Sequence, residues 1–410
     1  MIISELQNYQ MTETEILDKL YEFAQKELLN NILPYWSLKT IDTYNEGFIG
    51  KIDEKNHSDF NADKGLILNA RILWTFSSVS GKINDLLYKN LASRAFDYIL
   101  RFFYDKEHMG FYWKLNYKGN PVETKKQIYA QAFVIYALSE YYMLTGSSES
   151  LLKAIETYSL IEKYSHDDIF NGYLEAFDRE WRLIDDIRLS TKDMNEKKTM
   201  NTHLHILEAY TNLYRIYKND ELKNKIIGLL DIFYDHILDK SDYHYNLFFD
   251  EEWNLKSNLI SFGHDIEGSW LMLEAAETIG DQNIIDKFKN VAVKMAEACL
   301  EGIYLSGALS QDVERGKNIL SRETEWWVQA EAVVGFFFAY KVSGRIDFLE
   351  TAYKVAQFIQ DYIVDREYGE WVNLVSSNGE AIPGNDKVGF WKCPYHNARM
   401  CIELMKGVNY

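Results

Sequence analysis

Residues 127–144 read QIYAQAFVIYALSEYYML and residues 150–165 read SLLKAIETYSLIEKYS, with only the break Thr145 to Ser148 near their junction. Apolar side chains recur every three to four positions in both runs, which is the period of a helix with a buried face. Two such helices on so short a turn form an antiparallel hairpin. Gly110-Phe111-Tyr112-Trp113 stands before the pair and Gly172-Tyr173-Leu174 after it.

The same pattern continues in both directions. A first helix through Ile16, Leu20, Phe23 and Leu28 to Leu29 is expected to end near Pro34. Further helices are expected over about 65–80, 86–104, 199–217, 222–238, 265–279, 284–300, 325–341, 347–362 and 395–407. Short links such as Lys218 to Asp220 and Gly280 to Gln282 alternate with long ones carrying an aromatic motif. The motifs begin at Gly47, Gly110, Gly172, Tyr243, Gly302 and Gly369, spaced 63, 62, 71, 59 and 67 residues apart. Six degenerate two-helix units of about 65 residues follow. An open superhelix would need polar terminal caps, whereas a ring of six hairpins buries an inner layer and gathers the long loops round one mouth. The expected fold is therefore all-α, an (α/α)6 barrel of six helical hairpins with short strands in the long loops. Four prolines and no Pro/Gly/Ser-rich linker fit a single catalytic domain over 1–410.

Lys+Arg 44 against Asp+Glu 62 gives a net charge of −18. That balance argues against nucleic acid or an anionic membrane as partner and suits a neutral substrate. Met1 to Gln10 lacks the basic and apolar regions of a secretory signal, and the longest apolar run, Ala332 to Tyr340, is short of a membrane span. Cys299, Cys393 and Cys401 form no CxxC pair and read as reduced thiols of a cytoplasmic protein. The 10 Trp and 29 Tyr suit both a core and a sugar cleft, and composition does not separate the two.

Nine histidines make that residue type the most informative for chemistry. His203 and His205, two apart at a helix start, cannot both face one pocket, so one faces it and the other braces. In His264-Asp265-Ile266-Glu267, Asp265 is expected to cap a helix opening after Phe262-Gly263. Glu267 lies three residues from His264, placed to orient its imidazole. His396 follows Pro394 at the start of the last helix, near Trp391. Trp327 and Glu331, four apart, match a stacking ring beside a hydrogen-bonding carboxylate. Arg71 sits in an apolar helix and needs an acceptor, either a structural carboxylate or an oxygen that gains charge in a reaction. No HExxH or close Cys/His cluster is present, so no metal is expected. An (α/α)6 glycoside hydrolase acting on oligosaccharides is the alternative. It needs two opposed carboxyl groups, for which Glu175, Asp178 and Glu251 are candidates.

These residues resemble the cellobiose 2-epimerases of the N-acylglucosamine 2-epimerase family. The specific stretches are KGLILNARILWTFS (64–77), KTMNTHLHILEAYTNLYR (198–215), SFGHDIEGSWLMLEAA (261–276), WWVQAEAVVGFF (326–337) and WKCPYHNARMC (391–401). The resemblance implies reversible epimerisation at C2 of the reducing-end glucose of a β-1,4-linked disaccharide, without cofactor or metal. It implies His264 and His396 as the two acid/base groups, Arg71 and His205 on the C1/C2 oxygens, and Glu267 as the partner of His264. Tyr129, Asn201, Trp327, Glu331 and Trp391 are implied to bind the sugar. The expected partner is a small disaccharide and the expected assembly a monomer or weak homodimer.

Overall fold

The first helix begins with a complete capping box, in which Glu15 N donates to Thr12 Oγ1 and the Glu15 carboxylate accepts from Thr12 N. The computed structural model describes residues 11–408 apart from residue 318; Met1 to Gln10, read above for a leader, lie outside the described residues. Helix α1 (Glu13–Glu27) runs through a π turn at Leu28–Ile32 directly into α2 (Leu33–Leu38). The helix therefore does not end near Pro34. The π turn sets Pro34 in the first turn of a new segment, where its missing N–H is tolerated.

Five helical hairpins follow, with α3 (Leu66–Ile83) and α4 (Leu86–Tyr98) first, then α5 (Ile128–Thr145) and α6 (Ser148–Tyr164). Next come α7 (Met200–Ile216) and α8 (Asp220–Ile232), α9 (Phe262–Ile279) and α10 (Gln282–Cys299), α11 (Trp326–Ser343) and α12 (Ile346–Phe358). Helix α13 (Tyr395–Gly407) ends the described chain and packs on α1, making the sixth pair from the two ends. Each odd-numbered helix from α3 to α13 packs on its neighbours, and α13 returns to α3. The ring is closed: an (α/α)6 barrel. The tight turns have a local cause. Gly146 and Gly280 end their helices at φ 69° and 78°, and Ser147 and Asp281 cap the next ones.

Every strand pair lies in the long connections, and all are antiparallel. The segment before an inner helix pairs with the following long loop, as Lys126 and Gln127 do with Phe177 and Ala176. Buried Lys64, Lys126, Lys198 and Lys387 repeat one further device, each holding the aspartate that opens a preceding loop.

One position of each inner helix pins the barrel, and it locates the site. Gln131 accepts from Phe111 N (2.9 Å), His203 Nε2 from Tyr173 N (2.9 Å), Asp265 from Tyr245 N (2.8 Å) and Gln329 from Leu309 N (2.8 Å). Asn397 reaches Trp371 N through Glu370, and Asn69 occupies the same place in α3. Two residues beyond these six stand Arg71, Phe133, His205, Glu267, Glu331 and Arg399, all buried. One residue before Asp265 and Asn397 stand His264 and His396.

Candidate active site

His203 is the bracing member of its pair, since both ring nitrogens engage backbone, Nε2 at Tyr173 N and Nδ1 at Thr199 O (2.7 Å). His205 lies inside the ring, its Nδ1 2.9 Å from Glu208 and its imidazole packed on Tyr129 and Phe133 at 4.8 and 4.7 Å. Arg71 finds its acceptor in the Tyr129 hydroxyl (2.9 Å), with Phe133 4.3 Å from its guanidinium carbon. Among the described residues no carboxylate meets Arg71, and its buried Nε has no protein partner.

His264 and His396 both pack against one indole. The Trp327 ring lies 4.9 Å from His264 and 5.6 Å from His396. His264 Nδ1 is held by Ser261 Oγ at 2.7 Å, and His396 Nδ1 by Glu331 at 2.6 Å. Among the described residues no hydrogen bond engages Nε2 of either imidazole. A cavity of about 300 Å³ opens on the His264 side. His264 and Asn201 line it, together with Ser261, Gln311, Asp312 and the segment 187–196. Asn201 brings a buried carbonyl oxygen without a protein donor. Trp391, 37% exposed, stands 5.9 Å from both Tyr129 and Trp113.

Two expectations need correction. Glu267 is not the partner of His264, because its carboxylate accepts from Arg399 at 2.6 Å while His264 turns to Ser261. A guanidinium 132 positions away outcompetes an imidazole three residues off, as a charge-assisted bond should. Asp265 does not cap α9, since the helix starts at Phe262. Its carboxylate instead binds Tyr245 N and His244 Nδ1 (2.7 Å).

A model of the N-acylglucosamine 2-epimerase (GlcNAc 2-epimerase) family matches residues 47–399. The chain belongs to this family. It is 46% identical to the cellobiose 2-epimerase of Bacteroides fragilis over 94% of this chain and 98% of that one. It is 40% identical to that of Dictyoglomus turgidum over 93% and 97%. Among solved structures, a sugar epimerase from a ruminal bacterium superposes with TM-score 0.91 at 37% identity, covering 94% and 98% of the two chains. The cellobiose 2-epimerase of Bacillus thermoamylovorans gives 0.89 at 37%, covering 95% and 99%. An α-mannanase of Bacteroides thetaiotaomicron, 12% identical with TM-score 0.64, covers 93% and 95% and shares the fold alone.

The hydrolase candidates do not assemble in this 2-epimerase family member. Asp178 pairs with Arg182, Glu251 is exposed, and buried Glu175 accepts from Thr199 N and the Thr202 hydroxyl at the start of α7. Under the histidines lies a network that the motifs did not single out. Arg399 donates to Glu267 and Glu331 at 2.6 Å each and also to Glu208, which accepts from the Tyr395 hydroxyl as well. Glu267, Glu331 and His396 bring ligand-type atoms within 4.8 Å of one another, and the Arg399 guanidinium already bonds both carboxylates.

Electrostatics sorts these groups. Burial pushes His264 down to about 3, and burial with Arg71 and Arg399 holds His396 well below its ordinary value. Burial thus favours the neutral imidazole at both positions. Burial pushes Glu331 up to about 8 against the pull of Arg399. Burial also opposes the charge of Glu208, but Arg399 and His205 prevail and keep it below the ordinary carboxylate range. The tryptophan beside each imidazole, together with an anchored Nδ1, leaves each Nε2 a fixed direction in which to exchange a proton.

Proposed function

We propose that this enzyme epimerises C2 of the reducing-end glucose of β-1,4-linked disaccharides, turning cellobiose into glucosyl-mannose and lactose into epilactose. The observation that carries the reading is the pair His264 and His396, both packed against Trp327 and each anchored through Nδ1. Once the ring opens, one neutral imidazole removes the C2 proton and negative charge moves to O1 as a cis-enediolate. Arg71, bonded to the Tyr129 hydroxyl, and His205 stabilise that charge. Rotation about C2–C3 presents the other face, and the second imidazole returns a proton there.

Trp327, Trp391 and Tyr129 supply apolar faces for the sugar. Asn201 offers its unpaired oxygen to a hydroxyl, Glu331 orients His396, and Glu267 braces Arg399. The domain comprises residues 1–410 and works as a monomer or weak homodimer in the cytoplasm, with no nucleic-acid or membrane partner. No helix among the described residues is long and apolar enough to cross a membrane. The test is incubation with cellobiose and with lactose, followed by NMR of the reducing end. Mannose-ended products of unchanged chain length support the proposal. Release of monosaccharide without a C2 epimer would replace it with hydrolysis.

A further inference from the structure

Two proton carriers complete an epimerisation only when one starts with a proton and the other without. The number of protons stored beneath the sugar therefore decides whether a cycle can begin. This inference rests on the two-histidine reading above.

The fixed charges buried among the inner helices, taken together as the floor of the barrel, can be counted. Arg71 of α3 and Arg399 of α13 are guanidinium groups, charged at any working pH. Glu208 of α7, Glu267 of α9 and Glu331 of α11 are the carboxylates, and all five side chains belong to residues at most 4% exposed. Glu208 also accepts from the Tyr395 hydroxyl of α13, and its charge reaches Tyr129 and Tyr136 of α5; burial keeps all three phenols neutral. Buried Lys392 is balanced separately by Glu370 at 2.9 Å. Three carboxylates against two guanidiniums leave one negative charge over, and an unbalanced buried charge is costly. The titratable groups free to balance it are His205, His264, His396 and Glu331 itself.

We propose that this floor is built to hold one mobile proton, and that Glu208 is the positioning residue whose charge keeps it there. Glu208 stands at the junction of the network. One oxygen faces His205 Nδ1 at 2.9 Å, and the other accepts from Tyr395 and Arg399. Arg399 continues to Glu331 at 2.6 Å, and Glu331 to His396 Nδ1 at 2.6 Å. The contacts His205–Glu208–Arg399–Glu331–His396 thus join two walls of the barrel. Glu331, which burial pushes up to about 8, and the imidazole bonded to it are the resting place of the proton. With the proton present, one carrier acts as acid while the other acts as base. The base gains the C2 proton as the acid gives one up, so each turnover begins and ends with the same count. Without the Glu208 charge, the floor is balanced with no proton at all, and both histidines are bases.

The test is the net charge of folded Glu208→Gln and wild type, compared by capillary electrophoresis at pH 7, with circular dichroism as the folding control. The two proteins should carry the same net charge, because the lost carboxylate charge is matched by a lost proton. A variant less negative by one full unit overturns the proposal. Arg71→Gln is the mirror test and decides the matter if Glu208→Gln does not fold. It should take up one proton and keep the wild-type charge, and a variant more negative by one unit overturns the proposal. Electrophoresis needs no substrate, so failure of the epimerase reading would not mask the result. In turnover assays the alkaline limb of kcat/KM should move at least one pH unit lower in Glu208→Gln and stay in place in Glu208→Asp. An unmoved limb in Glu208→Gln also counts against it.

Discussion

Replacing Arg399 with Met removes the one guanidinium that joins three buried carboxylates, Glu208, Glu267 and Glu331. Deleting one partner of a buried ion pair costs about 3–5 kcal/mol, because the charge left behind stays desolvated. An unfolding entropy of about 2.1 cal/mol/K per residue, taken over 410 residues, is about 0.9 kcal/mol per degree. The midpoint should therefore fall by about 3–6 °C, a modest shift for so central a residue because the chain is long. The pH dependence is the sharper signature. Without Arg399 the folded-state pKa values of Glu208 and Glu331 rise, so the folded variant binds more protons than the unfolded chain between the ordinary carboxylate range and neutrality. Its stability must then decrease as pH rises through that window. Scanning calorimetry at pH 5.5 and 8.5 reads both effects, with the deficit against wild type larger at 8.5. A deficit below about 1 °C at pH 8.5, or one equal at both pH values, would refute the view that Arg399 is the counter-charge of this cluster.

The two tryptophans of the site should separate kinetically. Trp391→Ala removes a partly exposed ring at the Tyr129 wall and should raise KM about tenfold with kcat little changed, whereas Trp327→Ala loosens both imidazoles and should lower kcat. Steady-state kinetics on cellobiose checks this, and the opposite split would misplace both rings. Burial pushes Glu175 up to about 8 against its hydrogen bonds from Thr199 and Thr202, which favours the protonated form at neutral pH. Its folded pKa lies above the unfolded value, so its contribution to stability declines as pH rises from the ordinary carboxylate range towards 8. Glu175→Gln should accordingly gain midpoint relative to wild type at pH 8.5 more than at 5.5, and an equal change at both would contradict its neutral state.

Much of this architecture was legible because it is local and repeated. The period of residues 127–144 and the Gly-aromatic motifs fixed the number of hairpins, and the i,i+2 geometry of His203 and His205 anticipated one bracing and one inward ring. What local spacing could not report is a partner brought in by the barrel. Glu267 is three residues from His264 yet bonds Arg399, and Glu331 orients a histidine 65 positions away. Arg399, although it lies within WKCPYHNARMC (391–401), showed no role because its carboxylate partners stand on three other helices. Aligning the inner helices on Gln131, His203, Asp265, Gln329 and Asn397 would have found it, since Arg399 then falls on the same rung as Arg71, Glu267 and Glu331. Helix starts were the weakest reading. Phe262 and Gly263 look like loop, but Gly263 lies against the Trp327 ring, where a Cβ would come within 2.7 Å.

The most direct test of the account is hydrogen exchange at C2 in D2O, followed by NMR from cellobiose and from glucosyl-mannose in folded His264→Asn and His396→Asn. If the two imidazoles serve opposite faces, each variant loses net epimerisation. If His396 serves the glucose-ended sugar, as the family resemblance implies, His264→Asn should still wash deuterium into C2 of cellobiose. His396→Asn is predicted to exchange at most from the mannose-ended sugar. Near-normal net epimerisation by either folded variant would contradict the two-histidine mechanism.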